Sequence, residues 1–251
     1  MPIEIKRQQL KETTTLAIAT TIEITDLLKD RSIPEIAGQL RKTMPAVAKQ
    51  FGNVAGIISA RDYDKERSTQ NLPTEYKAKP AILSNVDEMD AAIGFGIAQL
   101  TKGVSYDTFQ STLSGGVQRL VLQGDRETID LNIVSDPDGT TYERVPSANS
   151  CAFCLTMAAV AEAQRDSYFD GYHNFCRCTL RPIFTGGKRT ELPIYKQVNE
   201  AYSLADKELE RQRQEFGWYS MKTKQAAALR PDLVMNTPNH LRLMRQVTGW
   251  H

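Results

Sequence analysis

The chain has 251 residues, 31 of them basic and 30 acidic, for a formal net charge of +1. Such a balance supplies no global field toward nucleic acid or a membrane surface, so any contact of that kind has to be local. The length suits one large domain or two smaller ones. The opening Met1-Pro-Ile-Glu-Ile-Lys-Arg7 has no apolar stretch of a secretory signal, and no apolar run approaches the about 20 residues of a membrane span.

The first half reads as helices. From Glu4 to Lys29 the apolar positions Leu10, Leu16, Ile18, Ile22, Ile24, Leu27 and Leu28 follow a mostly helical rhythm. Ser32-Ile-Pro34-Glu35 has the form of a helix cap with proline in the first turn. The helix it opens carries Ile36, Leu40, Met44, Val47, Phe51, Val54 and Ile58, and Pro45 inside it is expected to kink or split it. Arg61 to Lys79 is dense in charge and, with Pro73 and Pro80, reads as a solvated connection that continues the preceding helix for a turn or two. Ile82 to Leu100 is a further helical pattern, in which Gly94 and Gly96 suggest a close helix contact. Tyr106 to Leu122 is another, loosened at Gly115-Gly116.

The pattern changes after Gly124. Arg126 to Val134 fits a helix turn or a strand, and Asp136-Pro-Asp-Gly139 is a strong turn signal. Thr140 to Pro146 alternates as a strand does. Ser147-Ala-Asn-Ser150 offers caps for a helix over Cys151 to Arg165. Cys176 to Phe184 reads as a strand with Cys176, Cys178 and Leu180 on one face. After the turn at Gly186-Gly187-Lys188 come helices over Leu192 to Phe216 and Ser220 to Leu229, with a last turn or two within His240 to Val247. The fold class is therefore α+β, mostly α. Its expected parts are an N-terminal helical bundle or arm (1–125), a small central α+β module stapled by metal (126–185), and C-terminal helices (186–251).

All four cysteines and one of the three histidines fall within this module: Cys151, Cys154, His173, Cys176 and Cys178. Zinc takes about four tetrahedral ligands from cysteine sulfur and histidine nitrogen. Cys151-x2-Cys154 at a helix start presents two thiolates to the helix dipole. Cys176 and Cys178 lie two apart on a strand and face one way. That gives five candidates for four places, so one is spare. A closed site of this kind is structural. Disulfide pairing and ordinary buried thiols are the alternatives, and a reducing cytoplasm favours metal.

Catalytic readings are weaker, and no enzyme is expected. Cys151-x2-Cys154 lacks the tryptophan-glycine-proline context of a thioredoxin. No zinc-deaminase His-x-Glu precedes the cysteines, and no His-Glu-x2-His, phosphate loop or Gly-x-Ser-x-Gly occurs. A zinc-binding nucleic-acid module and a cysteine-dependent redox enzyme remain as rival functions. Lys222, Lys224, Arg230, Arg242 and Arg245 make the C-terminal stretch mildly basic, which is more often a solvated helix face than a DNA contact. Trp218-Tyr219 and Trp250 more often close a core edge than anchor a partner.

Arg144-Val-Pro-Ser147, Cys151-x2-Cys154 and Tyr172-His173-Asn-Phe-Cys176-Arg-Cys178-Thr-Leu-Arg-Pro182 together resemble the conserved segment of MuF-like phage minor head proteins. These belong to the broad phage head morphogenesis family, and the version here is most similar to those of phages infecting actinobacteria. The resemblance covers about 40 to 60 residues around the cluster. Phe175-Cys176 departs from it, because the wider family often has a proline after the histidine. The resemblance implies a structural minor capsid protein in the virion, inside the head near the portal vertex, reached from the host cytoplasm during assembly. It implies the portal protein as partner, with the major capsid protein and non-specific packaged DNA as further contacts, and a role in head assembly and DNA packaging or ejection.

Overall fold

A computed structural model describes residues 2–83, 87–147, 150, 152–160, 174–190, 192–220, 232 and 237–248. It is mostly helical, with one two-stranded sheet. In chain order the elements are α1 (Pro2–Asp26), α2 (Ile33–Ser68), α3 (Asp87–Thr101), α4 (Tyr106–Ser135), β1 (Gly139–Val145), α5 (Ala152–Val160), β2 (Thr179–Phe184), α6 (Pro193–Phe216), a 3-10 turn over Trp218–Ser220, and α7 (Thr237–Thr248). Among the described residues no helix is long and apolar enough to cross a membrane. The expected helix over Ser220 to Leu229 lies almost wholly outside the described residues. The chain forms two compact units, one of residues 1–145 and 170–189 and one of 146–169 and 190–251. The boundary drawn from sequence at residue 125 falls inside α4.

In the first unit, α2 starts as its sequence dictates: the Ser32 N–H donates to Glu35 Oε2 at 2.9 Å and proline follows within the first turn. It then runs unbroken through Pro45, so the expected split does not occur. Proline removes one backbone donor, and the flanking Leu40, Met44 and Ala48, all fully buried, hold the helix on its neighbours. Arg126 to Val134 is helix, continuous with the rest of α4.

α1 buries a different face from the one its apolar residues suggest. Leu16 is exposed (60%), as is Leu27 just past the helix end (82%), while Lys6, Thr13, Thr14, Thr21 and Thr25 are buried beside Leu10 and Ala17. The threonines make this possible. Thr13, Thr21 and Thr25 each donate to the carbonyl four residues back, at 2.8–2.9 Å, and so arrive in the core already satisfied.

α2 and α4 meet at glycines. A Cβ on Gly124 would lie 1.9 Å from the Gly52 carbonyl oxygen, so these backbones touch at a spacing only glycine permits. Leu10, Met44, Met89, Ile93, Phe109, Leu113 and Val117 fill the core around this crossing. The segment after α2 is pinned to α4 rather than solvated throughout. Asn132, fully buried, accepts from the Lys79 N–H and donates to the Lys79 carbonyl, both at 2.8 Å, and Thr128 Oγ1 accepts from the Ala81 N–H. At its start Arg67 grips the turn before β1, reaching Asp136 at 2.9 Å and Asp138 at 2.8 Å.

β1 and β2 pair antiparallel, with Arg144 opposite Leu180 and Glu143 opposite Arg181, an ion pair at 2.6 Å. Leu180 and Phe184 pack with Tyr63, Ile129 and Ile133. In the second unit, α6 lays Val198, Ala201, Ala205 and Leu209 against Leu243 and Met244 of α7, with Leu155 and Ala159 of α5 and the indole of Trp218 completing the core. Gly217, at φ 73°, ends α6 in the left-handed region. Trp218 therefore closes a core edge, while Tyr219 is exposed; Trp250 lies outside the described residues.

One buried charge group ties the first unit together. Lys6, 1% exposed, pairs with Asp125 at 2.7 Å and Asp62 at 3.8 Å, and donates to the Leu180 carbonyl at 2.7 Å. Ser59 Oγ donates to Asp125. Burial pushes the Asp62 carboxyl up, against the pull of Lys6, and the charges of Glu66 and Asp125 raise it further. A raised folded-state value means that Asp62 contributes stability below its unfolded value and loses it as pH rises through the folded one. Lys6→Met strands both carboxylates. It is expected to cost about 3–5 kcal/mol near neutral pH. Urea unfolding across pH should show the deficit narrowing on acidification, as Asp62 takes up a proton; a deficit independent of pH contradicts this.

Candidate metal centre

Of the five residues singled out by spacing, Cys154, Cys176 and Cys178 are described and Cys151 and His173 lie outside the described residues. Cys154 sits in the first turn of α5. Cys176 and Cys178 lie just before β2, which starts at Thr179, three residues later than the expected strand. None of the three is in a disulfide, and all are buried, at 2%, 1% and 0% exposure. The Cys176 and Cys178 sulfur atoms lie within 4.8 Å of each other. In tetrahedral zinc thiolates, sulfurs about 2.3 Å from the metal stand about 3.8 Å apart. Soft donors, burial and mutual approach at Cys176 and Cys178 therefore fit a metal of the zinc class.

The cysteine segment is seated on one face of α4. Phe175 has a positive φ of 63°, unusual for a residue with a side chain. A Cβ on Gly115 would come within 2.8 Å of the Phe175 ring and of Asn174 Cβ. Gly115 thus marks where the segment lands rather than a loosened helix. Gly116 beside it faces Ala92 of α3. Further along α4, Gln118 donates through Nε2 to the Cys176 carbonyl and Arg126 through Nη2 to the Cys178 carbonyl, each at 3.3 Å. Gln118 and Arg126 are 1% and 4% exposed. Spacing among cysteines cannot reveal these two residues. Nothing in the residue pattern of α4, which mixes charged and apolar positions along its length, marks them. Arg177, between the cysteines, is exposed.

Fold and site define a class: a helix-rich α+β protein whose small sheet adjoins a set of convergent buried thiols. Comparison with family models places the chain further. Residues 2–205 match the model described as VG15 protein, and the chain belongs to that family, a family of viral proteins. The matching family is described as VG15 protein and not as a MuF-like head morphogenesis protein. Comparison with curated proteins gave no match, and comparison with solved structures gave none.

Burial at these three positions has a direct chemical readout. In a Cys151→Ser chain, Cys154, Cys176 and Cys178 should react slowly with a thiol-specific aromatic disulfide under native conditions, and completely once denatured. Rapid native reaction of two or more thiols contradicts the burial.

Proposed function

We propose that this viral protein is a structural minor head protein of a tailed phage, associated with the portal, whose cysteine segment is closed by a structural zinc ion. Family membership supports a viral origin. The likeness of residues 144–182 to the MuF-like segment supports the head and portal assignment. The observation that carries the metal part is the mutual approach of the buried thiols of Cys176 and Cys178. Cys154, Cys176 and Cys178 would hold the ion, with Cys151 or His173 supplying the fourth ligand and the other left spare. With its coordination filled by protein, such an ion has no open position for substrate and acts on folding alone. The protein then works by binding rather than by catalysis, inside the head near the portal vertex, through contacts of its helices with the portal and the major capsid protein.

Cross-linking of purified particles followed by mass spectrometry tests the assignment. Links between residues of α1–α4 and the portal protein are the expected result. A chain absent from particles, or linked to tail proteins alone, overturns it.

A further inference from the structure

Among the described residues no strand pairs with the side of the cysteine segment away from β1, yet its carbonyls are served. Those of Cys176, Cys178 and Leu180 accept from Gln118 Nε2 (3.3 Å), Arg126 Nη2 (3.3 Å) and Lys6 Nζ (2.7 Å). Three residues at every second position turn their carbonyls to the same edge of extended chain. A neighbouring strand would offer backbone N–H groups there; here long polar side chains from α4 and α1 replace it. Buried carbonyls require donors, which accounts for polar side chains on this edge as such. It does not account for which carbonyls α4 serves: the two that belong to cysteines with convergent thiols.

We propose that Gln118 and Arg126 are positioning residues of the cysteine centre, an inference that rests on the zinc reading above. By holding the carbonyls on either side of Arg177, they fix the pleat of the chain and keep the Cys176 and Cys178 sulfurs on one face. Arg126 does more. A zinc ion held by three thiolates carries a net charge of about −1, and the buried guanidinium beside the Cys178 peptide offsets it in a medium where water does not. Its second nitrogen, Nη1, reaches the Arg119 carbonyl within α4 at 3.5 Å, which holds the side chain along the helix. Lys6 serves Leu180 and the acidic pair instead, so it anchors the strand but addresses no ligand.

The full-length chain, loaded with zinc and titrated against a chelator, tests this, with cobalt substitution reporting ligand geometry through the thiolate charge-transfer band. Arg126→Met and Gln118→Leu should each weaken metal retention about 10- to 100-fold and alter the cobalt band. Arg126→Lys should recover part of the affinity. A merely structural role would lower the melting temperature and leave the cobalt band of the folded protein unchanged. Gln118→Leu removes one donor and no charge, so it carries the test if Arg126→Met does not fold. Wild-type chain that binds zinc, with both folded variants equal to it, overturns the positioning role alone. Wild-type chain that takes up neither zinc nor cobalt overturns the zinc reading and this proposal together.

Discussion

A single buried ammonium links four elements of the first unit. Lys6 of α1 meets Asp125 of α4, Asp62 of α2 and the carbonyl of Leu180 in β2, across a sequence separation of 174 residues. An ion taken out of water costs several kcal/mol unless it is closely paired, so this contact contributes little net stability. Its effect is on register. α1 brings few large apolar side chains to the core, and most of its buried face is threonine bonded back to its own backbone. Such a face slides at little cost. Only one placement, however, brings Lys6 to the acidic pair, and every other strands two buried carboxylates.

The same placement carries over to the cysteine segment through α4. Gly115, Gln118, Leu122, Arg126, Ile129 and Ile133 follow one another at steps of three and four residues and so share one face. Gly115 takes Phe175, Gln118 and Arg126 take the carbonyls of Cys176 and Cys178, and Ile129 and Ile133 pack with Leu180 and Phe184. From residue 115 to 133 the helix advances about 27 Å, and from 175 to 184 extended chain covers about 30 Å. The two run side by side. On the opposite face, Gly124 lets α2 approach to backbone contact. α4 is thus buried on both faces, and the cysteine segment inherits its position from a helix fixed on its other side.

Much of the secondary structure is legible in the sequence, because short-range rules decide it. The cap at Ser32-Ile-Pro34-Glu35, the Asp136-Pro-Asp-Gly139 turn and the alternation before Pro146 each act within a few residues. What sequence misreads is decided at long range. Leu16 looks like a core position of α1, yet threonines fill most of the buried face. Gly115 and Gly124 look like weak points, yet each is where another segment touches the helix. Arg126 to Val134 is ambiguous alone because Ile129, Leu131 and Ile133 alternate with polar residues as in a strand; packing on both sides makes it helix. At the site, the cysteines are legible from spacing, since few other arrangements bring soft donors so close together in a chain. Gln118 and Arg126 are not, because their partners are carbonyls, which leave no mark in the sequence.

The family match and the thiol cluster address different questions. Membership in a viral family gives the protein its setting, while in the proposed role the buried thiols serve to hold a small sheet, since two strands have little core of their own. Contacts with other head proteins then fall to the helices, and the metal keeps the two-stranded sheet in place on α4. X-ray absorption at the zinc edge on protein purified without added metal tests this most directly. The account predicts one zinc per chain with at least three sulfur ligands at about 2.3 Å. A chain free of zinc, or zinc bound by oxygen and nitrogen alone, would contradict it.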